Sequence, residues 1–241
     1  MTSTADLQRI LDGASVAAEV HALRPDYRAL LLAVDGLEPG EGDARSEALL
    51  IEAEASAAAA LAAGPVEEIP HVAAWREAYR AFGAKPQRTR SSAEALLRRA
   101  AASGLPRVDR LTDVYNAISV LHRTPLGGES LAAYVGPARL VRATGEERFD
   151  TSVDGADAIE HPEVGEVVWR DDQGVTCRRW NWRQGRRTRL HPTTRSALFI
   201  VDALAPVDDD GLEAIGDALL DALGATSPGL VAARRTIGAE A

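Results

Sequence analysis

Apolar residues recur at helical spacing through most of the first half of the chain. Between residues 44 and 63, leucine and alanine return every three or four positions, and Gly64 with Pro65 ends the run. An earlier stretch is continuously apolar and is closed by a glycine-rich loop over 36–42, which is typical of a strand. The pattern predicts a short opening segment over 1–23, a strand over 27–35, and helices over 44–63, 71–82, from the Ser91 or Ser92 cap to Gly104, and 111–121.

The second half has shorter runs rich in β-branched and aromatic residues, separated by glycine, proline, aspartate and asparagine. They predict strands over 138–142, 166–169, 175–180, 188–191 and 197–202, then a last helix over 212–223 and a tail after Pro228 that frays. Helices first and strands later indicate an α+β fold with mixed or antiparallel sheets, since a doubly wound fold alternates the two throughout.

Length and composition change this picture little. The chain has 241 residues, of which 46% are hydrophobic and 26% charged, as in ordinary globular proteins, so we expect a single domain over 1–241. No stretch has the order of a signal peptide or the length of a membrane helix, which predicts a cytoplasmic protein with no membrane partner. Cys177 is the only cysteine, and no spacing suits zinc, so neither a metal nor a cofactor is expected.

Charge is unevenly distributed. The net charge is -9, which repels a polyanion, yet seven arginines lie between residues 178 and 195, and Lys85 with four arginines forms a second basic cluster over 85–99. Lys85 is the only lysine. The clusters predict a local basic face on an acidic protein; the alternative is a set of solvated arginines without a partner.

An ordered series of motifs runs from residue 71 to 202. The motifs are HVAAWREAYRAFG over 71–83, TDVYNAIS over 112–119, PLGGESL over 125–131, RWNWRQ over 179–184 and the Thr193–Thr194 pair. Together they resemble free-standing B3/B4 proteins and the editing (B3/B4) domain of the phenylalanyl-tRNA synthetase beta subunit. The resemblance implies a B3/B4-like core over about 71–202, with an N-terminal strand and helix and a C-terminal helix as extensions.

In the synthetase, the domain that this chain resembles removes tyrosine wrongly attached to the phenylalanine tRNA. The resemblance therefore implies a trans-editing hydrolase that deacylates mischarged aminoacyl-tRNA, with aminoacyl-tRNA as partner and a synthetase as a further candidate. An aminoacyl ester is already activated, so a bound water, oxyanion donors and a selective pocket suffice. Two alternatives stay open, a non-catalytic tRNA- or RNA-binding module and a binder of a free amino-acid-like metabolite.

Two residues of the TDVYNAIS motif match positions of the family motif. Asn116 corresponds to the family's pocket asparagine, whose amide hydrogen-bonds the amino acid, and it is assigned to catalysis. Asp113 corresponds to the aspartate of the same motif and is assigned to substrate or RNA binding; its alternative role is a buried structural acceptor.

The PLGGESL loop departs from the synthetase pattern, which has Pro-Leu-His, because Gly127 stands at the histidine position. Gly127 and Gly128 are assigned to substrate binding. Glu129 is a candidate catalytic group that binds the α-ammonium or orients water. His122 is a candidate substitute for the missing histidine, and its alternative is a structural histidine at a helix end.

The RWNWRQ motif stands where the synthetase has a glycine-rich loop. If residues 175–180 continue as a strand, Trp180 and Trp182 share one face and Asn181 points away from them. The rings then either stack on the terminal adenine or belong to the core, and Arg183 contacts phosphate.

Thr193 and Thr194 are candidate hydroxyl donors to the substrate or, alternatively, strand-edge residues. We predict that Asn116, Glu129, Asn181 and one of these two threonines converge on one cleft with Arg183 at its rim.

Overall fold

Helices precede most of the strands along the chain. The computed structural model describes residues 2–238. The seven helices within this range are α1 (Thr4–Asp12), α2 (Ala18–Leu23), α3 (Ala44–Ala63), α4 (Pro70–Ala81), α5 (Ser92–Ser103), α6 (Arg110–His122) and α7 (Asp209–Gly224). The strands are β1 (Ser15–Val16), β2 (Arg28–Asp35), β3 (Leu126–Ser130), β4 (Arg139–Arg142), β5 (Phe149–Val153), β6 (Ala156–Glu160), β7 (Val167–Arg170), β8 (Val175–Arg178), β9 (Arg183–Gln184), β10 (Ser196–Ala203) and β11 (Val231–Gly238).

Short polar side chains cap the N-termini of α5 and α6. Ser91, not Ser92, caps α5, because its Oγ accepts a hydrogen bond from the Glu94 amide at 3.3 Å. Asp109 caps α6 by accepting from the Thr112 amide at 2.8 Å. The structure confirms the helices predicted over 44–63, 71–82, from the Ser91 or Ser92 cap to Gly104, and 111–121, with small changes at their ends.

The strands form two sheets. A four-stranded antiparallel sheet has the order β11-β2-β10-β3. A mixed sheet has the order β1-β4-β7-β8-β5-β6, with β9 paired to β8. The predicted α+β fold with mixed and antiparallel sheets is confirmed, and β2 is the strand that brings the first half of the chain into a sheet of the second.

The core lies on both faces of the four-stranded sheet, because successive residues of a strand point to opposite sides. Leu30 and Leu32 of β2 pack with α7 residues such as Ile215 on one face. Leu31, one position along, packs on the other face with Trp169 of the mixed sheet. A third cluster joins α3, α5 and α6.

The structure corrects several predictions for the second half. Residues 188–191 make only one isolated bridge, between Glu129 and Arg189, instead of a strand. The strand predicted over 175–180 ends at Arg178. Residues 231–238 of the tail after Pro228 do not fray: β11 pairs with β2 along its whole length, and its residues Ala233 and Ile237 are buried. The rest of the tail lies outside the described residues.

Several further elements were not predicted. The PLGGESL loop contains β3, and the opening segment contains α1, β1 and α2. β5 and β6 form a hairpin. Within residues 2–238, no helix combines the length and the apolar composition that crossing a bilayer requires.

Candidate functional site

A pocket of about 280 Å³ lies where the two sheets meet beside α5 and α6, and we call it the central pocket. Polar side chains come from α6, both sheets and the turn after β8: Asn116, Glu129, Asn181, Arg183, Gln184 and Asp202. Its apolar wall includes Leu126, Trp169, Trp180, Trp182 and Ile200. Apolar walls with a few converging polar groups are the usual form of a small-molecule site.

Strand alternation explains which residues of β3 reach the pocket. Gly128 pairs with Phe199 of β10, and a Cβ at Gly128 would lie 2.7 Å from the Phe199 ring. Gly127 and Glu129 consequently face the opposite side, into the pocket. A Cβ at Gly127 would meet only Gln184 Nε2, at 3.9 Å, so the position has room for a side chain.

Glu129 is a buried carboxyl group with 2% of its surface exposed. Its Oε2 accepts a hydrogen bond from the Tyr134 hydroxyl. Burial raises the pKa of Glu129 to about 7, and the hydrogen bond from Tyr134 only partly opposes this rise. The group is therefore about half ionised at neutral pH, which suits a general base.

Asp202 is a second buried carboxyl group on the pocket wall, at 3% exposure. Its Oδ1 accepts from the Tyr27 hydroxyl at 2.5 Å and from Trp169 Nε1 at 3.4 Å. Burial raises its pKa to about 7, and the charge of Glu129 adds to this rise.

Three amide side chains complete the polar lining, and two of them are held in place. Asn181 accepts from the Tyr79 hydroxyl at 3.1 Å and donates to Asp202 Oδ2 at 3.4 Å. Gln184 Nε2 donates to the Gly128 carbonyl at 2.6 Å. Asn116 is buried, yet within residues 2–238 its amide makes no hydrogen bond, which leaves it available to a ligand.

The turn after β8 corrects the predicted Trp-x-Trp strand. Arg179 and Trp180 have positive φ angles of 47° and 67°, an uncommon conformation for side chains of this size. Trp180 is fully buried against Tyr27 and Trp75, with ring centroids 5.0 and 5.3 Å away. Trp182 instead is half-buried at the pocket. Of the two rings considered for stacking on the terminal adenine, Trp182 is therefore the accessible one.

Asn181 does not point away from the rings as predicted, because it lines the same pocket as Trp180 and Trp182. The turn has no strand alternation, since residues 179–182 bend between β8 and β9. The α5 amide of Ser92 donates to the Asn181 carbonyl at 3.1 Å, which ties this turn to the helix.

The arginines of residues 178–195 are mostly neutralised within the protein. Arg178 holds Glu166 with two bonds of 2.8 Å, and Arg187 holds Asp171 at 2.7 and 2.9 Å. Arg183 stands at the pocket edge, where it donates to Thr151 Oγ1 at 2.6 Å. This stretch is therefore largely an ion-pair network, and most of the predicted basic face is absent there.

The structure brings Asn116, Glu129, Asn181 and Arg183 together, along with Gly127 and Trp180. Four other candidate residues lie apart from the pocket lining, and Gly128 borders it only through its carbonyl.

Asp113 accepts from the Val108 amide at 2.8 Å and so holds the loop before α6. His122 lines a separate apolar groove between α3, α6 and α7. Thr193 is exposed, and Thr194 Oγ1 accepts from the His191 amide at 2.8 Å.

Sequence reasoning missed Asp202 and Gln184. A signal for Asp202 was present, because it is the only charged residue in the apolar strand SALFIVDA, and burying a carboxyl group requires compensation. Gln184 gave no comparable signal, since its position depends on the pairing of β9 with β8. Nowhere in residues 2–238 do three or more His, Cys, Asp or Glu side chains group in a way that could hold a metal ion.

Fold and pocket together define a mixed α/β domain with a small, polar-lined cavity between two sheets. The chain belongs to the B3/4 domain family, whose model matches residues 74–210, more than half of the sequence. This confirms the resemblance given by the motifs.

Among solved structures, the chain is similar to an N-terminal fragment of the phenylalanyl-tRNA synthetase beta-subunit from Pyrococcus horikoshii, at 11% identity and a TM-score of 0.44. The match covers 93% of this chain and 50% of the fragment, so the chain spans about half of that fragment's length. No curated protein sequence matches the chain.

Proposed function

We propose that this protein hydrolyses the ester bond of mischarged aminoacyl-tRNA, with the aminoacyl group bound in the central pocket. The observation that carries the proposal is that one small cavity is lined by two buried carboxyl groups, Glu129 and Asp202, and by Asn116, whose side-chain amide has no hydrogen-bond partner within residues 2–238. Membership of the B3/4 domain family is consistent with it.

The volume of the pocket favours an amino acid as the enclosed group. At about 280 Å³ it lies at the lower limit of small-molecule sites, which occupy roughly 300–1,000 Å³. It has room for about nine waters at roughly 30 Å³ each. An aminoacyl group fits such a space, whereas a nucleotide attached to it remains outside, at the pocket mouth.

The polar lining suits the α-ammonium and the ester of this group. Asp202 is held in place by Tyr27 and Asn181 and offers a carboxylate to the ammonium. Asn116 offers an amide N–H to the ester carbonyl, where negative charge develops during hydrolysis. Glu129, with a pKa of about 7, accepts a proton from the attacking water.

The reaction needs no cofactor and no covalent intermediate. Water oxygen attacks the carbonyl carbon while Glu129 takes one of its protons, and the C–O bond to the ribose then breaks. The proton on Glu129 passes to the departing ribose oxygen. The products are a free amino acid and a tRNA with an intact terminal hydroxyl.

The test is single-turnover hydrolysis of a panel of mischarged aminoacyl-tRNAs. Wild type is compared with Glu129→Gln and Asn116→Ala, and with Glu146→Gln as a control at an exposed glutamate. Glu129→Gln is expected to lower the rate about 100-fold or more through loss of the base. Asn116→Ala is expected to lower it about 100-fold, because loss of one donor to the developing oxyanion costs about 3 kcal/mol.

Two outcomes contradict the proposal. If tRNA binds and no ester is cleaved above the buffer rate, the protein is a non-catalytic RNA-binding module. If calorimetry instead detects a free amino acid in the central pocket and tRNA does not bind, the protein is a metabolite binder.

A further inference from the structure

A second cleft lies next to the central pocket and carries cations that the ion-pair network leaves free. Its volume is about 330 Å³, and its lining includes Lys85, Arg88, Thr89 and Arg179. We call it the lysine cleft. Lys85 and Arg88 are exposed, and neither forms an ion pair with a carboxylate of residues 2–238. They differ in this from Arg178 and Arg187, which are bonded to buried carboxylates.

The cations of the lysine cleft are held by a defined turn. The Lys85 carbonyl accepts from the amides of Arg88 and Thr89, each at 2.9 Å. Thr89 Oγ1 in turn accepts from Arg179 Nη1 at 2.5 Å. The turn before α5 is therefore fastened to the strained turn that follows β8.

Arg179 connects the lysine cleft to the central pocket. Its guanidinium carbon lies 4.7 Å from the centroid of the Trp182 ring, which lines the central pocket. Trp182 thus has a guanidinium stacked on it and is half-buried, as in platforms that stack nucleic-acid bases.

The charges of the lysine cleft favour an anion. Lys85, Arg88 and Arg179 face two carboxylates, Glu163 and Glu166. Glu166 is also bonded to Arg178 at 2.8 Å, so its charge is already compensated. Glu163 lies 3.8 Å from Arg179 and is mostly exposed. An excess of positive charge remains at Lys85 and Arg88.

We infer that the lysine cleft binds backbone phosphate of the single-stranded 3′ end of the RNA while its aminoacyl group occupies the central pocket. The inference rests on the proposed function and adds the path of the RNA. The terminal base stacks at Trp182, and the preceding phosphates follow Arg179 toward Lys85 and Arg88. A protein with a net charge of -9 needs such a local cationic site to hold RNA.

The experiment compares wild type with the double variant Lys85→Ala/Arg88→Ala. A second double variant, Arg9→Ala/Arg148→Ala, removes two exposed arginines outside both basic clusters and changes the net charge equally. Filter binding measures the Kd for uncharged tRNA at several salt concentrations. Single-turnover hydrolysis is measured on aminoacyl-tRNA and on the same amino acid esterified to adenosine, which lacks phosphate.

The cleft variant is expected to raise the Kd for tRNA about tenfold or more at low salt. It is also expected to reduce the salt slope by about 0.7 for each RNA phosphate that the two side chains neutralise in wild type. The ratio of kcat/KM on tRNA to kcat/KM on aminoacyl-adenosine is expected to fall by a factor similar to the rise in Kd. The charge-matched variant is expected to change neither the Kd for tRNA nor the ratio of the two kcat/KM values by more than about twofold.

Equal losses in the two double variants would overturn the inference, since they would reflect net charge alone. Unchanged tRNA binding in the cleft variant would overturn it as well. If no ester is hydrolysed but tRNA binding depends on Lys85 and Arg88, the deacylase proposal fails and the phosphate site stands.

Discussion

Two polar residues of the central pocket, Asn116 and Glu129, come from α6 and β3. Both belong to the motif series, and both line the central pocket. The motifs could identify them because they lie in continuous segments of α6 and β3. Asp202 escaped because its role depends on three partners far away in sequence, Tyr27, Trp169 and Asn181.

The pH dependence of hydrolysis tests the role of Glu129. Its pKa of about 7 means that the carboxylate needed to accept a proton from water is lost below neutral pH. We expect kcat/KM to rise from about pH 5, to reach half of its maximum near pH 7 and to level off above about pH 8, after subtraction of the uncatalysed rate. In Glu129→Gln this rise is expected to disappear or to shrink to the smaller effect of Asp202.

A pH profile of Glu129→Gln with the full wild-type rise would assign the titration to another group. Asp202→Asn separates the two carboxyl groups, because it is expected to raise KM for the ammonium-bearing substrate more than it lowers kcat.

At the scale of elements, the helices from α3 onward were predicted well, whereas α1, α2 and several strands were not. The helices have caps and stop signals within a few residues of their ends, such as Ser91 and Gly104. β11 has adjacent arginines, Arg234 and Arg235, so its sequence gave little sign of burial. Its order comes from pairing with β2, which lies far earlier in the chain and which local patterns do not report.

The two glycines of β3 provide a prediction about this strand. Gly128→Ala places a methyl group 2.7 Å from Phe199 and 3.0 Å from Leu190, so we expect a loss of about 1–3 kcal/mol in the free energy of unfolding. Gly127→Ala meets only Gln184, at 3.9 Å, and is expected to change stability by less than about 0.5 kcal/mol. Urea unfolding of both variants measures the difference.

Equal destabilisation by the two alanines would contradict the alternation described for β3. Gly127→His extends the test to the site, because the open position is the one at which the synthetase pattern has histidine. This variant is expected to fold, and its imidazole side chain is expected to occupy part of the central pocket.

For the whole molecule, the distribution of charge was only partly predictable. The arginine clusters are evident in the sequence, whereas their carboxylate partners are not, because Glu160, Glu166 and Asp171 meet them only after the mixed sheet forms. Several arginines of residues 178–195 therefore form ion pairs with carboxylates of the mixed sheet and its loops. Lys85 and Arg88 of the lysine cleft are among the exposed cations that form no ion pair with a carboxylate of residues 2–238.

The buried carboxyl groups also affect global stability. Glu129 has a folded-state pKa of about 7 against a reference value of 4.5, so below about pH 4.5 it is protonated in both states. Between about pH 4.5 and pH 7 the carboxyl group ionises in the unfolded state but stays protonated in the folded state, so the free energy of unfolding falls by roughly 3 kcal/mol and is constant above this range. Glu129→Gln is therefore expected to be more stable than wild type near pH 8 and to lose this advantage near pH 4.5.

Denaturant unfolding at both pH values measures this difference. His71, whose pKa burial lowers to about 4, has the opposite sign, but it is present in both proteins and cancels from the comparison. Glu146→Gln, at an exposed position, serves as the control. If Glu129→Gln has the same free energy of unfolding as wild type near pH 8, burial does not raise the pKa of Glu129.

The four tryptophans differ in solvent exposure, so tryptophan fluorescence can report on the central pocket. Trp75, Trp169 and Trp180 are sealed in the core at no more than 1% exposure, whereas Trp182 is half-buried at the central pocket. Iodide should therefore quench the fluorescence of Trp182 alone, and a ligand in the pocket mouth should protect it. The native protein thus carries its own reporter of occupancy, and binding can be followed without a label.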